Sequence, residues 1–267
     1  MIAFVSLAGL LLFVWPFLGL GLPPEVPALT VTLGAVAALG LMEFGARRLD
    51  SGRLALLAAL AAIDAALRLA LVTGIGGFSP IFFLVIAAGY EFGVSYGFLV
   101  GAFSLLVSAL VTGGVGPWLP YQVFAVGWVG ASAGLAGTAV HRLRAARSVD
   151  RSSSVRRESW RPDRFDFAVL VVVAVVTGFA YGVMTDIWGW VAFYRGVANI
   201  DWNPGLSPGE TLAQFGRYYA VTSFGWDAFR AVGDALAILV LGSPVLMALG
   251  RLRARLGFEI VSDPGGS

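Results

Sequence analysis

The chain contains no cysteine and no lysine, a single histidine, His141, and only 13% charged residues in 267. Without cysteine there are no disulfides, thiolate metal sites or thiol nucleophile. One histidine beside an arginine cluster builds neither an H-E-x-x-H zinc site nor a serine-histidine relay, and its placement reads as interfacial. Without lysine there is no phosphate loop ending in Lys-Ser/Thr, so ATP is not hydrolysed by that route. The shortage of charge is itself a class assignment. With 58% hydrophobic residues and a mean hydropathy of +0.83, too little polar side chain is available to cover a soluble globule. The spacing of the apolar runs does not show the ten-residue alternation of an outer-membrane barrel.

What is present is a series of apolar runs of about 20 residues, each long enough to cross roughly 30 Å of hydrocarbon as helix. Glycine, proline and charge punctuation place helices near 3–22, 27–46, 53–73, 78–93, 96–112, 118–141, 165–192 and 223–250. One helix over 78–112 would run to about 50 Å, so a tight reversal is expected at 93–97. The fold expected is an all-α integral membrane protein of eight spans, with two N-terminal helices (1–50) ahead of a six-helix core (51–267).

All 18 basic residues are arginine, and 14 of them fall at 47–53, 142–164 and 251–255. Eight alternating crossings put these on one side, which the positive-inside rule makes cytoplasmic. Both termini are then cytoplasmic, and the membrane is a plasma membrane. The basic loop 142–164 and the net charge of +2 express this orientation; no nucleic-acid fold accompanies them. On the outer side, residues 193–222 form a long segment with a capping box, Ser207 to Glu210, opening a short helix at Pro208. Either a lid or an interfacial strut fits it.

Charges inside spans mark pathways or pockets. In "AAIDAALRLA", Asp64 and Arg68 stand four apart on one helix face, with Arg68 about 22 Å along the helix from Arg53. In "WDAFRAVGDA", Asp227, Arg230 and Asp234 share a face. Asp186 lies near the outer end of its helix, flanked by Trp188 and Trp190. These groups collect in the outer half, together with aromatics that include Trp118, Tyr121, Trp188 and Trp226. They could pin helices as internal ion pairs or line an aromatic pocket for a flat organic ligand. On the far side of the Asp64 helix, Ala55, Ala58, Ala59, Ala62, Ala65 and Ala66 make a small-residue stripe that permits close helix approach. Glycines at 89–101 and 127–134 supply further seams for internal packing.

The stretch "GGVGPWLPYQ" with the following "GWVGASAG", the preceding "PIFFLVIAAGYEFGVSYGFLVGAFSLLVSALVTGG" and the later "SFGWDAFRAVGDALAILVLGSPVLMAL" resembles the substrate-binding S components of energy-coupling factor (ECF) vitamin transporters, in an actinobacterial-type branch. The resemblance implies a membrane-embedded binding subunit without catalytic activity or cofactor. It would capture a vitamin from outside and topple in the bilayer to deliver it through a coupling subunit carrying two ATPases. Cobalamin stands first among the expected ligands, with riboflavin and thiamine next. Ala58, Ala62 and Ala66 would be the docking stripe for the coupling subunit. The Gly-Pro-Trp-x-Pro turn would hold Trp118 and Gln122 over the pocket before ligand arrives. The substrate-binding set is then Asp64, Arg68, Trp118, Tyr121, Gln122, Asp186, Trp188, Trp226, Asp227, Arg230 and Asp234. Two alternatives remain open: an intramembrane enzyme using Asp186 and Asp234, and a stand-alone proton-coupled carrier.

Overall fold

The computed structural model describes residues 2–18, 22–46, 49–70, 81–149, 161–197 and 199–258. Among them there is no strand. The elements are α1 (Ile2–Val14) with a 3-10 turn at Trp15–Leu18, α2 (Glu25–Gly45), α3 (Ser51–Ala70), α4 (Ile81–Phe92), α5 (Val94–Thr112), α6 (Leu119–Val149), α7 (Arg164–Phe193), α8 (Pro208–Thr222) and α9 (Phe224–Arg255). Five helices, α2, α5, α6, α7 and α9, are long and apolar enough to cross a membrane. α1 and α4 are shorter apolar helices, and the 20 residues of α3 carry Arg53, Asp64 and Arg68. Large apolar side chains such as Leu110, Val176 and Val240 stand mostly exposed, as a lipid-facing surface requires. The protein is a helical, membrane-type bundle.

The reversal expected at 93–97 is made by one residue. Gly93 takes φ 92°, in the left-handed region, and α5 starts at the next position. A Cβ on Gly97 would lie 2.7 Å from the Cα of Gly89, two residues that a continuous helix would hold about 12 Å apart. α4 returns into α5 as a tight antiparallel pair, and every described side chain from Phe82 to Phe92 is buried. The glycine seams hold α5 against α6 backbone to backbone. A Cβ on Gly101 would meet the Val126 carbonyl carbon at 2.8 Å and the Gly127 nitrogen at 3.1 Å, and Gly130 faces the carbonyl of Gly97. No larger residue allows that approach.

α1 and α2 pack on the outside of this core. Phe13 meets Tyr121 edge-on at 5.2 Å and Trp128 at 5.6 Å, and the Trp128 indole donates to Ser6 at 3.0 Å. α6 and α9 run past their expected ends, to 149 and 255. Hydropathy marks where an apolar run stops, whereas arginine and alanine, strong helix formers, carry the helix on. α7 starts on a capping box in which Asp163 accepts from the backbone N–H groups of Phe165 and Asp166. α8 starts on the expected one, Ser207 with Glu210.

Residues 193–207 are fastened to the end of α7. Trp190, Val191, Trp202 and Tyr218 form a small core of their own. The Trp190 indole donates to the carbonyl of Ile200 at 2.7 Å, and the Trp202 N–H donates to that of Tyr194 at 2.7 Å. The basic loop expected at 142–164 lies in part, 150–160, outside the described residues.

Candidate functional site

The arginine-bearing helix ends meet at one end of the bundle. The Arg53 guanidinium donates to the carbonyls of Leu256 and Gly257. Arg144 binds Asp163 and Asp166, each at 2.9 Å, and Arg253 reaches Glu91 at 3.3 Å and the His141 ring at 2.9 Å. The candidate site lies toward the other end.

Here the folded chain gathers ionisable groups from three helices. Asp64 of α3 and Asp234 of α9 are fully buried, and no oxygen of either carboxylate has a hydrogen-bond partner. Asp234, Arg68 and Ser104 all lie within electrostatic reach of Asp64. The Ser104 hydroxyl, fully buried on α5, faces Asp64 without closing a hydrogen bond, and Ser108 one turn on is equally buried and unpartnered. Next to this group Arg230 pairs with Asp227. Its guanidinium lies over the rings of Tyr181 (5.1 Å) and Phe82 (5.7 Å). Asp227 also accepts from the Tyr219 hydroxyl at 2.9 Å. The pair fits between α7 and α9 because Gly182 has no side chain: a Cβ there would strike the Asp227 carboxylate. Asp186, with one oxygen unpartnered, lies within electrostatic reach of Asp227 and Arg230.

The aromatic residues divide. Trp188 is a hub, with Trp118 at 6.0 Å and Tyr121 at 6.2 Å, and the buried Tyr121 hydroxyl has no partner. Trp118 is partly exposed and its indole donates back to the carbonyl of Gly114 at 3.2 Å, so it closes its own turn. Gln122 is half-buried one turn into α6. Trp226 is not brought in: it is 57% exposed although its neighbour Asp227 is buried, because adjacent helix positions point about 100° apart.

The opposite face of α3 has a different character. Ala55, Ala58, Ala59, Ala62 and Ala66 are exposed, while Leu57, Leu60, Ala61, Asp64 and Ala65 are buried. Ala65, grouped with the stripe on spacing alone, belongs to the inner face.

Three features escaped the sequence reading. Ser104 and Ser108 sit one turn apart in "FSLLVSALV", a polar i, i+4 pair inside an apolar helix. Glu91, a lone carboxylate in "IFFLVIAAGYEFG", is fully buried against Arg253. Asp166, also fully buried, accepts from the Tyr90 hydroxyl at 2.5 Å, from Arg144 at 2.9 Å and from the Asp163 N–H at 2.8 Å. The Asp163 contact belongs to the local capping box, and only the tertiary fold brings Tyr90 and Arg144 to the same carboxylate.

A cavity of about 520 Å³ opens between the Trp15–Leu18 turn and residues 187–215, lined by Phe17, Trp190, Trp202, Asn203, Thr211 and Phe215 among others. It does not coincide with the charged group. No charged side chain lines it, and the Trp190 indole and Thr211 hydroxyl are already donating to backbone carbonyls. Among the described residues most of the unpartnered buried polar atoms lie at the Asp64 and Asp234 group, with Ser104, Ser108 and Asp186; Trp15, Glu43, Glu91 and Tyr121 carry the others. That concentration makes the group the candidate site.

Among the described residues no three His, Cys, Asp or Glu side chains group to hold a metal ion. What the site offers is hydrogen-bond acceptors and charge from several helices, an arrangement suited to holding a polar ligand. Compared with protein-family models, curated proteins and solved structures, the chain matches none.

Proposed function

We propose that the chain is the substrate-capturing membrane subunit of an ECF-type importer, an eight-span protein of the plasma membrane with both termini in the cytoplasm. It binds a vitamin-like small molecule in its outer half and passes it to a coupling subunit that carries two ATPases. The arginine-rich end is the cytoplasmic one, and the Asp64 and Asp234 group then lies outward of the midplane. The observation that carries this reading is the division of α3: a buried carboxylate looks into an unsatisfied polar interior, and an unpartnered alanine face looks away from it. A binding subunit that docks on another membrane protein needs both.

The test is mass spectrometry of small molecules released from detergent-purified protein, followed by titration of the compound found. A near-stoichiometric organic ligand whose binding falls in Asp64→Asn supports capture. Folded, monodisperse protein that retains no small molecule ends it.

The two donor-free carboxylates also favour a second reading, a proton-coupled carrier acting alone. Proteoliposomes containing only this chain distinguish the two: uptake driven by a pH gradient supports the carrier, and binding without uptake supports the importer subunit.

A further inference from the structure

We infer that the captured ligand is an organic cation with N–H donors, a protonated amine or amidine-type group, held between Asp64 and Asp234. The inference rests on the capture reading above and specifies the chemistry of that site.

The charge count comes first. The group contains four carboxylates, Asp64, Asp186, Asp227 and Asp234, and two guanidiniums, Arg68 and Arg230. Arg230 is committed to Asp227, and its faces are covered by Tyr181 and Phe82. Arg68, half-buried, lies within electrostatic reach of both Asp64 and Tyr181. Carboxyl groups thus outnumber guanidiniums by two where the surroundings are protein and lipid, and their ionised form is costly there unless a further cation is present.

The second observation is independent of charge. Four carboxylate oxygens and the hydroxyls of Ser104 and Ser108 are fully buried and without hydrogen-bond partners, and Ser104 is turned toward Asp64. Orphaned buried acceptors are rare in folded proteins. The carboxylates only accept, and four oxygens exceed what the two serine O–H groups could donate, so the set calls for further donors; an ammonium or amidinium brings them together with positive charge. A neutral ligand would meet the acceptors without offsetting the excess of carboxyl groups over guanidiniums, and an anionic one would be repelled by any of them that ionise.

The experiment uses the full chain in detergent. The probes are pyridoxamine against pyridoxine, thiamine against riboflavin, spermidine, and sodium chloride against choline chloride, each titrated by tryptophan fluorescence. Alongside them, the net charge of any compound that co-purifies is established by mass spectrometry. The inference expects an organic cation to bind at least about tenfold more tightly than its neutral counterpart, and to lose tenfold or more in Asp64→Asn and in Asp234→Asn. That loss is the scale of one charge-assisted hydrogen bond. Preference for a neutral or anionic compound, a response to sodium alone, or binding unchanged in both variants overturns the cation assignment and leaves capture standing. Absence of any bound molecule overturns both.

Discussion

Replacing Gly101 by alanine tests whether the α5–α6 contact that carries Ser104 and Ser108 is a true backbone-to-backbone approach. The new Cβ would lie 2.8 Å from the carbonyl carbon of Val126 and 3.1 Å from the nitrogen of Gly127, with the Val126 oxygen nearer still. Carbon atoms settle at about 3.5–4.0 Å, so the helices must part by roughly 1 Å. The opposing atoms are main chain, and no rotamer change relieves them. Overpacking of this kind costs about 1–3 kcal/mol, and a backbone obstacle belongs at the top of that range. Ser104 is less than one turn from Gly101, so the separation also displaces the site. The assay is reversible unfolding in mixed micelles, followed by tryptophan fluorescence, with Gly34→Ala as control. Gly34 is exposed on α2 with no atom within 4 Å of an added Cβ, and alanine there leaves stability unchanged or raises it by up to about 1 kcal/mol. Equal stabilities for the two variants would refute the close contact.

Other substitutions probe the remaining parts. Asp166→Ala strands the buried Tyr90 hydroxyl and leaves Arg144 with Asp163 alone, at a cost of about 3 kcal/mol in the same unfolding assay; a loss under about 1 kcal/mol would mean that the three donors do not converge on one carboxylate. Gly182→Ala displaces the Asp227 carboxylate, and ligand titration of the variant should show weakened binding with the inner-end contacts intact. Ala62→Trp leaves folding unchanged because the position is exposed, and it should abolish co-purification with the coupling subunit; undiminished assembly removes the docking face. The Ser207 hydroxyl and N–H donate to Glu210 and hold its carboxyl below the usual range. This support for the first turn of α8 is present above the ordinary glutamate range and is lost as pH falls through the lowered value. Protection factors at 209–212, with the intrinsic pH dependence of exchange divided out, should therefore fall on acidification in the wild type, and several-fold at neutral pH in Ser207→Ala.

The helices were legible because hydropathy and punctuation act locally: each of the eight apolar segments contains a helix among its described residues, although the first stops at Val14 with a 3-10 turn beyond it, and the α8 cap stands where Ser207 and Glu210 placed it. The ends of α6 and α9 were not, since arginine extends a helix beyond its apolar stretch. The Asp64, Arg68, Asp227, Arg230 and Asp234 faces were readable from i, i+3, i+4 and i+7 spacing. Ser104 and Ser108 were not, because a serine in an apolar helix usually returns its hydrogen bond to the preceding turn and leaves no mark in sequence to distinguish the one that does not. Tyr90, Arg144 and Asp166 come from three separate helices, and no local pattern relates them.

The enclosure of α4 has a consequence for the response to lipid. Its 12 residues rise about 18 Å, well short of a bilayer core, and its side chains meet protein on all sides. Changes in membrane thickness act on helices by tilting those that touch acyl chains. They reach Tyr90 and Glu91 only second-hand, through movement of the helices packed on α4, namely α3, α5, α6, α7 and α9. The middle of the bundle is thereby insulated from the mechanical state of the membrane, and unfolding measured in short-chain and long-chain lipids should vary through its outer shell alone.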